Sequence, residues 1–133
     1  MNKIEVEIEA IEREGDFLFV TMRKGERNFY SLFLLDQEEC PSFLKKGNRV
    51  YMVFKESETA VSTKRCELSF RNLFYGQVID IQRSKIMALL KVDTQEGEIS
   101  SIITLKSLRE LDIALGSGVY IYVKSGEVSI MEC

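Results

Sequence analysis

The chain repeats itself. Moved by 70 positions, Ile8 falls on Val78, Ile11 on Ile81, and residues 29–34 on residues 99–104. After one deletion the offset is 69, and Gly47 falls on Gly116, Val50 on Val119, Lys55 on Lys124 and Glu58 on Glu127. A period in this range means that one small folding unit has been used twice. What each unit can be follows from its hydrophobic pattern. Ile4, Val6, Ile8 and Ala10 alternate with Glu5, Glu7 and Glu9, the period-two signature of a strand with one face buried.

The same reading predicts short strands over residues 17–22, 28–34, 49–54 and 60–62, separated by glycine or charged turns. The second half follows suit at 77–81, 87–92, 99–103, 119–123 and 128–131. A short helical turn is expected at 41–47, ending at Gly47, and a longer helix over 105–111, opened by Thr104 and closed before Gly116. The polar stretch 62–67 lacks periodicity and is the expected joint, dividing the chain into 1–65 and 66–133. Five short strands and one small helix in about 65 residues suit a small barrel. The expected fold class is all-β with short helices: two tandem OB-like five-stranded barrels.

Composition removes several classes of function. With no histidine in 133 residues, there is no imidazole base and no histidine-ligated metal. Cys40, Cys66 and Cys133 are odd in number and form no C-x-x-C pair, so they read as reduced thiols in a reducing compartment. A net charge of −3 disfavours direct nucleic-acid binding. No apolar run reaches the length of a membrane span, and MNKIEVEIEA is too charged for a signal peptide, so a cytoplasmic protein without membrane contact is expected. The carboxylates of Glu5, Glu7, Glu9, Glu12 and Glu14 read as a solvated strand face guarding a sheet edge, and no residues are expected to ligate a cation directly. The aromatic run from Phe29 to Phe33 could suggest a stacking platform for single strands, but without nearby cations it reads as core and interface packing.

Three motifs carry the chemistry. Ser69-Phe70-Arg71-Asn72, the segment from Ser101 through Thr104 to Ser107, and Val123-Lys124-Ser125-Gly126 supply hydroxyls, a guanidinium, ammonium groups and backbone N–H groups, with no carboxylate among them. Such a donor set suits a small doubly charged oxyanion. Thr104 also stands where a hydroxyl caps a helix, which is compatible with anion binding because other N–H donors stay free.

In this order, with Gly76 and Val78 between the first two, the motifs resemble the Mop/TOBE family, OB-type barrels that bind molybdate or tungstate in the prokaryotic cytoplasm. The resemblance covers residues 68–131 best. It implies an oxyanion site built from Ser69, Phe70, Arg71, Thr104, Ser107, Lys124 and Ser125, with molybdate or tungstate as ligand and no cofactor or catalysis. It further implies a homo-oligomer with sites at subunit interfaces, a dimer being favoured over a trimer, and a role in storage, homeostasis or sensing. The alternative is a ligand-responsive regulatory module acting through another protein.

The first half departs from this pattern. Leu34 and Gln37 stand at the positions of Thr104 and Ser107, and the Ser-x-Arg-Asn motif has no evident counterpart ahead of Ile4. Only Lys55 is retained. The first repeat is therefore expected to be structural, a weaker second site near Lys55 being the alternative.

Overall fold

A computed structural model describes residues 1–35 and 40–133; Gln37 lies outside the described residues. The first half contributes β1 (Asn2–Glu14), β2 (Phe17–Lys24), β3 (Arg27–Leu34), β4 (Arg49–Phe54) and β5 (Thr59–Ser62). The second contributes β6 (Asn72–Arg83), β7 (Met87–Thr94), β8 (Gly97–Thr104), α1 (Leu105–Glu110), β9 (Gly118–Val123) and β10 (Ser129–Glu132). Two 3-10 turns, Glu56–Glu58 and Ser125–Glu127, stand before β5 and β10.

Alternation produces the first strand as expected: Ile4, Val6 and Ile8 are buried while Glu5 and Glu7 face solvent. The acidic row does not guard an edge, however. β1 lies inside its sheet, between β4 and β2. Its carboxylates face basic residues on those neighbours, Glu5 at 3.6 Å from Arg49, Glu7 at 3.8 Å and Glu9 at 3.3 Å from Arg23. Pairs this exposed contribute below about 1 kcal/mol each, so their effect is on solubility more than on stability. Residues 41–47 form hydrogen-bonded turns instead of a helix, with Leu44 N–H donating to the Pro41 carbonyl at 3.1 Å.

Both sheets curl into five-stranded OB-like barrels, but each borrows its last strand. The strand orders are β10-β4-β1-β2-β3 and β5-β9-β6-β7-β8. Each contiguous half thus supplies four strands to one barrel and one strand to the other. The exchange obeys the internal repeat closely. Ser31 donates its hydroxyl to the Val128 carbonyl at 2.5 Å, and its repeat partner Ser101 shares a 2.5 Å hydrogen bond with Thr59. The ladder irregularity after Ile8 in β1 recurs after Val78 in β6.

Two asparagines fasten the exchanged halves. Asn72 accepts from the Tyr30 N–H at 2.7 Å and donates to the Tyr30 carbonyl at 2.9 Å. Asn2 does the same to Ser100, at 2.8 and 2.9 Å. The Ser-x-Arg-Asn motif therefore does have a counterpart ahead of Ile4, at its final position: Asn2 repeats Asn72, and Met1 stands in the place of Arg71. A single residue type was too short a match to see in the sequence. Its equivalence shows only in what the two side chains bind.

One core runs through both barrels. Phe29 stacks on Phe74 with centroids 5.0 Å apart, and Phe74 on Phe54 at 5.7 Å, so an aromatic from the second half lies between two from the first. Phe29 is a core residue, as expected of a packing strand. Gly76 reflects a different constraint. A Cβ at this position would run into the backbone carbonyl of Asp93 on β7. Gly76→Ala is expected to lower stability by about 2–3 kcal/mol, because backbone and not a flexible side chain must yield. An unchanged thermal midpoint would show that β6 and β7 separate freely here.

Candidate functional site

The sheet register brings two of the three motifs together. Asn72 and Val123 are partners at the end of the β6–β9 ladder. Arg71 immediately precedes the one and Lys124 immediately follows the other, so the guanidinium and ammonium side chains leave the same end of adjacent strands. Both residues are exposed, and Ser125 begins the 3-10 turn after Lys124, half-buried. Ser69 is exposed on the segment ahead of β6, and Phe70 beside it is half-buried. The Arg71 guanidinium turns back to donate to the Leu68 carbonyl, which holds it in position while leaving other N–H donors of its fork available.

Thr104 and Ser107 are elsewhere. Thr104 is the N-cap of α1, its Oγ1 accepting from the Ser107 N–H at 3.0 Å and donating to the Ser107 hydroxyl at 2.9 Å. Both line a groove of about 480 Å³ between β5, the start of β7 and α1, whose other walls include Val61, Ile86, Met87 and Ile103. Arg71 lines a different cleft, which shares no residue with this groove. Within one chain, then, Arg71 and Lys124 stand at one strand end, although Lys124 does not line the cleft that Arg71 lines, and Thr104 and Ser107 stand at a separate groove. Lys55 stands in neither. It borders a shallow hollow with Glu58 and Glu127. Leu34, at the repeat position of Thr104, is 65% exposed and offers no donor side chain.

The cleft at Arg71 holds residues that the sequence did not single out. It lies between the barrels, has a volume of about 920 Å³, and is lined by Arg27, Arg65, Tyr30 and Tyr122 as well as Phe70 and Arg71. Arg27 opens β3 in the first half and donates to the Leu73 carbonyl of β6. Tyr122 accepts from the Cys66 N–H at 2.8 Å, which ties the joint between halves to β9. Nothing in the linear pattern marks Arg27 or Arg65, because one opens a strand and the other stands in the joint beside Lys64; only docking of the repeats brings them beside Arg71. Among the described residues, none of Arg27, Arg65, Arg71 and Lys124 has a carboxylate within ion-pair distance, whereas Arg23 and Arg49 do. The described cysteines, Cys40, Cys66 and Cys133, are free and exposed.

Comparison with known proteins places these features. Residues 68–130 match the model of the TOBE domain. A probable molybdenum-pterin-binding protein of Haemophilus influenzae is 28% identical over 65 residues, covering 48% of this chain and 94% of that protein. Across the whole fold, the chain is similar to the crystal structure of the cytoplasmic molybdate-binding protein ModG with molybdate bound. The TM-score is 0.90 at 23% identity, over 99% of this chain and 96% of the other. That likeness extends through both barrels and so includes the first half, which the TOBE model leaves unmatched. Residues 68–130 are thus similar to the TOBE domain, and they lie inside a double OB-like barrel whose fold matches that of a known molybdate-binding protein.

Proposed function

We propose that this protein binds molybdate, or tungstate, as a cytoplasmic oxyanion-binding protein serving storage, homeostasis or sensing. The observation that carries the reading is the position of Arg71 and Lys124 at one end of β6 and β9, with no carboxylate within ion-pair distance of either among the described residues. Two cations and the neighbouring hydroxyls of Ser69 and Ser125 match a dianion with four oxygens, through charge-assisted hydrogen bonds. The likeness to a molybdate-binding protein and to a probable molybdenum-pterin-binding protein supports the choice of ligand and compartment. No proton transfer or bond cleavage is required, so the reading invokes no catalysis.

The site is completed by a second copy of the chain. Thr104 and Ser107 line a separate groove from Arg71, and beside them Ile86 and Met87 are 74% and 47% exposed. Apolar side chains of this size next to unused donors suit an interface between copies. One copy gives Ser69, Phe70, Arg71, Lys124 and Ser125, and the other Thr104 and Ser107, in a closed homo-oligomer. This division differs from an arrangement in which Arg71 and Lys124 come from different chains, since the ladder sets them side by side. The first repeat, residues 1–65, is structural in this reading.

Calorimetric titration with molybdate, tungstate, sulfate and phosphate tests the proposal. Molybdate and tungstate are expected to bind and to raise the thermal midpoint, and sulfate and phosphate to bind far more weakly because the smaller anions cannot reach every donor. Absence of both heat and stabilisation with molybdate would refute it. Lys55→Ala should leave affinity unchanged; a loss equal to that of Lys124→Ala would show that both repeats bind.

A further inference from the structure

The cleft between the barrels is larger than the proposed oxyanion needs. An ion of five heavy atoms occupies on the order of 100 Å³, judged against roughly 30 Å³ for a water molecule. The cleft measures about 920 Å³, within the range of roughly 300–1,000 Å³ of sites for organic ligands. Its walls come from both repeats, Arg27 and Tyr30 from the first and Phe70, Arg71 and Tyr122 from the second, with Arg65 from the joint. The hydrogen bonds from Asn72 to Tyr30 and from Cys66 to Tyr122 fix one wall against the other.

Its charge is equally distinctive. Arg27, Arg65 and Arg71 line this one space, and among the described residues the only carboxylate in the lining, Glu67, is exposed and pairs with none of them. In a chain of net charge −3, Arg23 and Arg49 are placed against glutamates. Three guanidiniums around one space with a single unpaired carboxylate leave a net positive charge that favours an anion. Two of them are fixed at the rim, Arg27 on the Leu73 carbonyl and Arg71 on the Leu68 carbonyl, so their remaining N–H donors are oriented before any ligand arrives. The guanidinium fork fits phosphate oxygens bidentately. Beside the cations, the half-buried Tyr30 and Phe70 offer aromatic surface to a flat ring, while Tyr122 is buried behind them.

We propose that the inter-barrel cleft binds a phosphorylated ring compound of the nucleoside diphosphate class, with the phosphates on Arg27, Arg65 and Arg71 and the ring against the aromatic wall. This site is separate from the groove of Thr104 and Ser107, and neither of those residues nor Lys124 lines it. It rests on different observations from the oxyanion reading, but the two share Phe70 and Arg71, so occupation of the cleft competes with oxyanion binding at those side chains.

Calorimetry with ADP, pyrophosphate, inorganic phosphate and adenosine on the full chain is the test. ADP is expected to bind at least about ten-fold more tightly than each of the other three, because it alone engages both the cations and the rings. Arg65→Glu, at an exposed side chain, should weaken ADP by at least about ten-fold with an unchanged thermal midpoint and unchanged molybdate affinity. Arg27→Lys keeps the charge but loses the fork, and should also weaken ADP. The proposal is overturned if ADP binds no better than phosphate, if pyrophosphate equals ADP, or if Arg65→Glu binds ADP as well as the parent does. Molybdate titrated into separate ADP-free samples reports on the oxyanion site alone, so either reading can fail while the other holds.

Discussion

Asn72→Ala should destabilise the protein by about 2–4 kcal/mol, since it leaves the buried N–H and carbonyl of Tyr30 without partners, each at a cost of roughly 1–3 kcal/mol. Asn72 is fully buried and makes both bonds across the two halves, at 2.7 and 2.9 Å. The thermal midpoint should fall by several degrees, roughly 5–15 °C for a domain of this size. Asn72→Asp retains the acceptor for the Tyr30 N–H and loses the donor, and it also buries a charge, so it should be no milder than alanine. Asn2→Ala is the internal comparison, because it removes the same pair of bonds to Ser100 at the other junction. A loss below about 0.5 kcal/mol for Asn72→Ala, measured by denaturant unfolding, would mean that the barrels are held by the shared core alone.

Arg71→Ala and Lys124→Ala should each weaken molybdate binding by roughly 2–5 kcal/mol, because each leaves a desolvated anion short of one cation. Their effects should not add, since the two residues flank one rung of the β6–β9 ladder and act on the same ligand. Subunit mixing tests the division of the site. Arg71→Ala chains mixed with chains carrying Ser107→Ala should recover some intact sites, as each supplies what the other lacks. Arg71→Ala mixed with Lys124→Ala should recover none, as both defects lie in the same half-site. Recovery in the second mixture and not the first would invert the assignment. Thermal midpoints should stay close to the parent's for both single variants, because these side chains are exposed.

The strands were legible because alternation is a local property. Residues 49–54 were expected as a strand and form β4 with the same bounds, and the helix expected over 105–111 forms as α1, Leu105–Glu110, with Thr104 as its N-cap. The expected edge at β1 was not found there. Charge alternation along a strand reports which face meets water and says nothing of whether both edges are paired. In this sheet they are, to β2 and β4. Of the expected site residues, the register gathers Ser69, Phe70, Arg71, Lys124 and Ser125 near one strand end and sets Thr104 and Ser107 apart. The motif order in the chain could not indicate that separation. Arg27 and Arg65 escaped notice because a strand-opening arginine and one in the joint beside Lys64 carry no periodic signal.

By itself the sequence determined the number and approximate positions of the strands, though β1 and β6 run several residues longer than their alternation indicated, together with the doubling of the unit and the chemical type of the donors. Each of these depends on side chains within a few residues of one another or on identity between repeats. Tertiary structure alone decided which barrel each last strand completes. β5 and β10 follow similar 3-10 turns and present similar short edges, so either could close its own barrel or its neighbour's by the same local rules. The choice is made by long-range contacts: Asn72 on Tyr30, Asn2 on Ser100, Ser31 on Val128, and Phe74 between Phe29 and Phe54. The inter-barrel cleft and its three arginines exist only once those contacts have formed.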